Sequence, residues 1–233
     1  MHAWLEWARG PVFLFCFSFM VLGLVRHVWL TLWETTRLMR RAGDKSLPLA
    51  AIGRATLGWL FPVRAIAREA WFSVTSVLFH VALIVVPVFL AGHVALWARG
   101  TGLRWPAMSN QAADVLTILA VLTAVGLAFQ RLTARATRAI TKPSDYLLLL
   151  AVTLPFVTGF LVLHPGINPL PYDSVLFLHV MSGNLVFVLL PTTKLAHAVL
   201  LPSTQLVAEA GWHWPADAGS RVGAALGKAT ERA

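Results

Sequence analysis

Apolar residues along this chain collect into long runs separated by short, basic connections. Five runs approach or exceed the roughly 20 residues that a helix needs to cross a hydrocarbon core. They are Pro11–Trp33, Phe72–Trp97, Ala112–Phe129, Tyr146–His164 and Val175–Leu201. Tryptophans gather at the run ends (Trp4, Trp7, Trp29, Trp33, Trp71, Trp97, Trp105), as an interfacial aromatic belt requires. The pattern predicts an all-α integral membrane protein with a bundle of five transmembrane helices. A sixth stretch, Leu47–Ile66, is too interrupted to span. With Pro48 and Pro62 near its ends and Arg54 and Arg64 within it, it reads as a helix lying at the membrane interface. Residues 203–233 read as a short tail. The first run is too long for a signal-peptide core and has no small-residue cleavage site after it, so its retention is expected.

Composition agrees: 58% of the residues are hydrophobic and 12% charged, against about 25% charged in soluble domains. The net charge of +9 sets orientation and does not mark a nucleic-acid surface, because the basic residues lie between the apolar runs and form no stripe. Arg37, Arg40, Arg41, Lys45, Arg54, Arg64 and Arg68 follow the first run. Arg131, Arg135, Arg138 and Lys142 follow the third, and Arg221, Lys228 and Arg232 lie in the tail. Only Arg9, Arg99 and Arg104 fall on the other side. The positive-inside rule then predicts the N-terminus outside and the C-terminus in the cytoplasm. The single cysteine, Cys16, lies in an apolar run and has no partner for a disulfide or a thiolate metal site.

Ionisable groups inside spans are expensive and point to function. Here they are histidines: His27 in the first run, His80 and His93 in the second, His164 ending the fourth, and His179 and His197 in the fifth. His179 and His197 are 18 residues apart, which is five helical turns, so a continuous helix would carry them on one face about 27 Å apart. Neutral imidazole is a good axial ligand for haem iron. Two such positions suggest two stacked haems, one per leaflet. The second run, antiparallel to the fifth, supplies His93 at the outer level with His179, and His80 at the inner level with His197. His80 and His93 are about 140° from a common face in a straight helix, and Pro87 between them supplies a place for a kink. Gly92, Gly159 and Gly183 are small enough to admit a flat macrocycle. For His27 a structural role leads, with replacement of His80 as a ligand the alternative. His2 and His213 read as solvated.

These residues resemble the gamma subunit of respiratory nitrate reductase. The related di-haem cytochrome b subunits of heterodisulfide-reductase-like and sulfite-reduction complexes share the likeness. It is carried by Leu78-Phe79-His80 and Gly92-His93, by Ser144-Asp145-Tyr146 and Thr158-Gly159, and by His179 with Pro191-Thr192-Thr193-Lys194-Leu195-Ala196-His197. The helix-two spacing departs from the nitrate reductase pattern by about one turn. The resemblance implies a five-helix di-haem domain over residues 1–202, holding two haem b groups through His93/His179 and His80/His197. It further implies quinol oxidation near the outer face and electron transfer to an iron–sulfur or catalytic subunit on the cytoplasmic side. The chain would then be the electron-transfer subunit of a multi-subunit quinol-linked oxidoreductase in a bacterial inner membrane. Candidate quinone contacts are Arg99, Arg104 and His164, each equally readable as an interfacial anchor. Candidate haem-propionate partners are Arg64, Arg68, Arg138, Lys142 and Lys194, most of which the positive-inside rule would also explain.

Two other classes compete. A transporter with histidines along its path would need a chain of buried carboxylates and broken-helix repeats; all ten Asp and Glu lie outside the helices or at their ends, and no such repeat is present. A haem-free membrane anchor would leave the matched histidines without a reason. The absence of any cysteine cluster places an iron–sulfur centre, if there is one, on another chain.

Overall fold

A computed structural model describes residues 2–42, 49–60, 69–212 and 218–228. Among these residues the chain is helical with no strand. The first helical stretch runs without interruption as α1 (His2–Trp7), a π-turn (Ala8–Val12) and α2 (Phe13–Ala42). Then follow α3 (Leu49–Leu60), α4 (Ala70–Phe89), α5 (Ala91–Thr101), α6 (Asn110–Thr133), α7 (Arg135–Ile140), α8 (Pro143–Leu163), α9 (Tyr172–Thr192), α10 (His197–Trp212) and α11 (Ala218–Ala225). Five helices are long and apolar enough to cross a membrane: His2–Arg37, α4, α6, α8 and α9. Their large apolar side chains face outward. Leu22, Leu122 and Phe129 are each more than 60% exposed, as expected where lipid is the solvent.

Two of these spans end sooner than the apolar runs do. The second stops at Phe89, before Trp97, and the fifth at Thr192, before Leu201. At Thr193 the backbone is extended, and a 3₁₀ turn (Lys194–Ala196) precedes α10. His179 and His197 therefore do not lie on one continuous helix, and five-turn periodicity does not place them on a common face. Pro191, which cannot continue the helical hydrogen bonding, marks the interruption. Beyond it α10 continues through Pro202 to Trp212.

The helix ends are set locally. Ser109 Oγ accepts from the Ala112 N–H at the start of α6, and Gly102 closes α5 in the left-handed conformation. Asp145 accepts from the Lys142 backbone N–H at the start of α8, with Pro143 as first helical residue. Threonines inside spans (Thr31, Thr35, Thr123, Thr153) return their hydroxyl protons to the carbonyl one turn back, which satisfies them without water.

The chain forms two compact units. The first comprises Met1–Cys16 and Val63–Val186. Its core is Ala82 and Val86 of α4, Ala120 of α6 and Phe156 of α8. Small residues let these helices approach closely: Gly126 lies against the Thr75 methyl, where an added Cβ would sit 3.3 Å away. Asn184, 2% exposed, donates from Nδ2 to the Ala8 carbonyl at the π-turn made around Pro11.

The second unit comprises Phe17–Pro62 and Phe187–Ala233. Here α3 packs on α10 through a face that buries Ile52 and Thr56, while Arg54 points outward. His27 Nε2 donates to the Pro191 carbonyl at 2.8 Å. Four residues earlier on α2, a Cβ on Gly23 would lie only 2.5 Å from Pro191 Cβ. We therefore expect Gly23→Ala to cost about 1–3 kcal/mol through overpacking. Gly53→Ala, whose Cβ meets nothing within 4 Å, should be neutral or stabilising by up to about 1 kcal/mol. Thermal melts of the purified protein in detergent read the difference: the melting temperature falls for Gly23→Ala and not for Gly53→Ala.

Candidate functional site

The site begins with a break in the backbone. Leu90 is extended, with φ −63° and ψ 130°, and separates α4 from α5. Pro87 cannot donate to the helix ladder, so this turn is weak before any tertiary contact forms. Breaking a helix in lipid strands carbonyls that no water can reach. Here their partners can be named. The Pro87 carbonyl lies 3.0 Å from His93 Nδ1. Trp105 Nε1 donates to the Val88 carbonyl at 2.9 Å, and the Met108 N–H to the Phe89 carbonyl at 2.8 Å. The break is thus a built feature that turns α5 relative to α4 and re-aims His93.

His93 meets His179 from α9. Their rings are nearly parallel, 8° apart, with centroids separated by 6.0 Å. His179 Nδ1 lies 2.9 Å from the Pro155 carbonyl of α8 and 3.4 Å from Thr158 Oγ1. A carbonyl only accepts, so in both histidines Nδ1 carries the proton and Nε2 presents its lone pair. Gly159 makes the approach possible: a Cβ there would fall 2.9 Å from His179 Cε1. Gly159 thus leaves room for the imidazole itself. Beside Gly92 and Gly183 an added Cβ meets nothing within 4 Å.

His80 and His197 belong to different units. Both are exposed, and each points Nδ1 at a local carbonyl: Ser76 at 2.7 Å for His80, Lys194 at 2.8 Å for His197. His27 differs from the other four in using Nε2 for its backbone carbonyl. Arg99, in the last turn of α5, and Arg104, in the following loop, are exposed. Arg138 of α7, Lys142 at the N-cap of α8 and Lys194 in the 3₁₀ turn are exposed as well. Arg64 and Arg68 lie outside the described residues, as does His213. His2 reaches Asp173 at 3.5 Å.

His164 is joined by a residue that the sequence pattern did not single out. Its Nε2 lies 3.3 Å from Asp114 Oδ2, its Nδ1 lies 2.9 Å from the Phe160 carbonyl, and its ring stacks on Phe160 at 4.2 Å. Asp114 is one turn inside α6, and only the packing of α6 on α8 shows which histidine it meets. Among the described residues no three or more His, Cys, Asp or Glu side chains come together as a metal cage.

A protein of Nitratidesulfovibrio vulgaris strain Hildenborough is 35% identical over 182 residues, which cover 76% of this chain and 79% of the relative. The chain belongs to that protein's family. No family model matches it, and neither does a solved structure.

The break at Leu90 makes its own prediction. Trp105→Phe leaves the Val88 carbonyl without its donor, which should cost about 1–3 kcal/mol. Amide hydrogen exchange across residues 88–94 should quicken roughly tenfold, while exchange in α6 stays as it was. Unchanged protection at the break would show that the indole does not hold it.

Proposed function

We propose that this chain is a membrane-embedded di-haem cytochrome b subunit. It would exchange electrons between the quinone pool and an iron–sulfur or catalytic partner. The observation that carries the reading is the His93–His179 pair. A bond from a metal to an imidazole nitrogen is about 2 Å, so two rings sharing an axial iron stand with centroids roughly 6 Å apart once each ring's radius is added. The observed separation of 6.0 Å fits that requirement. So does the protonation pattern. Metal-binding histidines usually give their other ring N–H to a carbonyl or carboxylate, which fixes the tautomer and raises ligand basicity.

His80 and His197 each have the same Nδ1-to-carbonyl arrangement, which favours each of them as a ligand. His27, whose Nε2 is engaged by Pro191, is the weaker candidate. Haem, when bound, supplies one-electron chemistry. The protein's part is to orient the imidazoles, exclude water and admit quinol from the lipid. The asymmetry of basic residues supports an outer N-terminus and a cytoplasmic C-terminus in a bacterial inner membrane. On that orientation His93/His179 lies at the outer level, and the partner docks on the inner, basic side.

Protein purified after expression with adequate haem and reduced with dithionite should give a low-spin b-type spectrum at about two haems per chain. A colourless preparation would overturn the proposal. His93→Ala and His179→Ala should each remove one haem of the two, the same one in both cases by redox titration. His80→Ala and His197→Ala should remove the other, and His27→Gln should leave both. Gly159→Ala should perturb the haem lost in His179→Ala and spare the second.

A further inference from the structure

Asp114 and His164 stand at the head of an apolar groove between α6 and α8. The groove, about 220 Å³, is lined by Thr117, Ile118, Val121, Leu122, Val157 and Phe160, with Leu161 at its edge. Helix register links it to the pair. Residues 117, 118, 121 and 122 follow Asp114 on its own stripe of α6, and 161, 160 and 157 precede His164 on its stripe of α8. The lining exposes no polar surface. An elongated apolar group lying in it would therefore end against a carboxylate and an imidazole.

The chemistry of that end is specific. His164 Nδ1 is already directed at the Phe160 carbonyl, which leaves Nε2, 3.3 Å from Asp114 Oδ2. The two side chains remain 35% and 26% exposed. Asp114 Oδ1 is buried with no hydrogen-bond partner among the described residues, a costly state for a carboxyl oxygen. A carboxylate accepts from a hydroxyl and repels a phosphate, and the Phe160 ring beside His164 offers an aromatic wall. Aromatic ring, hydroxyl and long apolar tail together describe a membrane quinol better than a phospholipid.

We infer that the Asp114–His164 pair and the groove beneath it bind a membrane quinol. One ring hydroxyl donates to Asp114, the ring lies against Phe160, and the isoprenoid tail lies along α6 and α8. The inference rests on the quinone-linked reading above and deepens it. It moves the head-group contact from Arg99 and Arg104 to a carboxylate–imidazole pair.

The test is a titration of the full chain in phospholipid nanodiscs with 2-heptyl-4-hydroxyquinoline N-oxide, an alkylated quinol analogue whose fluorescence is quenched on binding. Asp114→Asn and His164→Gln should each weaken binding at least tenfold, about 1.4 kcal/mol or more. Ile118→Trp, placed at an exposed groove position, should weaken it through the tail alone. Size-exclusion profiles check folding, and haem content is measured on the same samples. Binding unaffected by the three groove and pair variants overturns the inference even if two haems are present. So does native mass spectrometry showing that these variants lose a bound phospholipid while analogue affinity is unchanged. A haem-free protein that binds the analogue in this residue-dependent way would support the site and overturn the haem reading instead.

Discussion

A hydrogen-bonding group freed inside a bilayer has no water to turn to, and the placement of the buried histidines follows from that constraint. Three prolines lie inside spanning helices, Pro87, Pro155 and Pro191, and the carbonyl of each lies within hydrogen-bond reach of a histidine ring. Each imidazole is oriented by a backbone atom of a rigid helix, so its direction is fixed without a long polar network. A carboxylate in the same role would add a buried charge; a carbonyl does not.

The choice of ring nitrogen then divides the histidines by role. His93 and His179 spend Nδ1 on the backbone and leave Nε2 unspent, with their rings nearly parallel and 6.0 Å apart. His27 spends Nε2 and holds α2 against Pro191, at the place where Gly23 leaves room for the proline ring. One residue type thus serves as clamp in the second unit and as a presented lone pair in the first. The backbone geometry, and not the surrounding sequence, decides between them.

Much of this was legible in the sequence. Five spans followed from the lengths of the apolar runs, and a bend between His80 and His93 followed from Pro87. The facing of His93 and His179 followed from antiparallel helices of matched depth. The extent of the bend did not. A proline predicts a kink, but a full break at Leu90 also needs Trp105 and Met108 folded back onto α4, and those contacts arise between segments far apart in sequence. The fifth apolar run misled for a related reason. Pro191 and Lys194 already weaken it as a continuous span, but a proline alone does not say whether a helix kinks or, as at Thr193, leaves the helical conformation altogether. Asp114 was legible only as a carboxylate near a helix end, because its meaning depends on α8 bringing His164 to it.

The break at Leu90 also bears on how the chain enters the membrane during synthesis. Trp105 and Met108 lie downstream of the carbonyls they satisfy. When α4 first meets the lipid, its caps have not yet left the ribosome. The nascent segment must then either run straight through Leu90, delaying the break, or wait at the translocon with its last turn shielded by protein. On either route His93 acquires its final direction only after the loop that precedes α6 has been made.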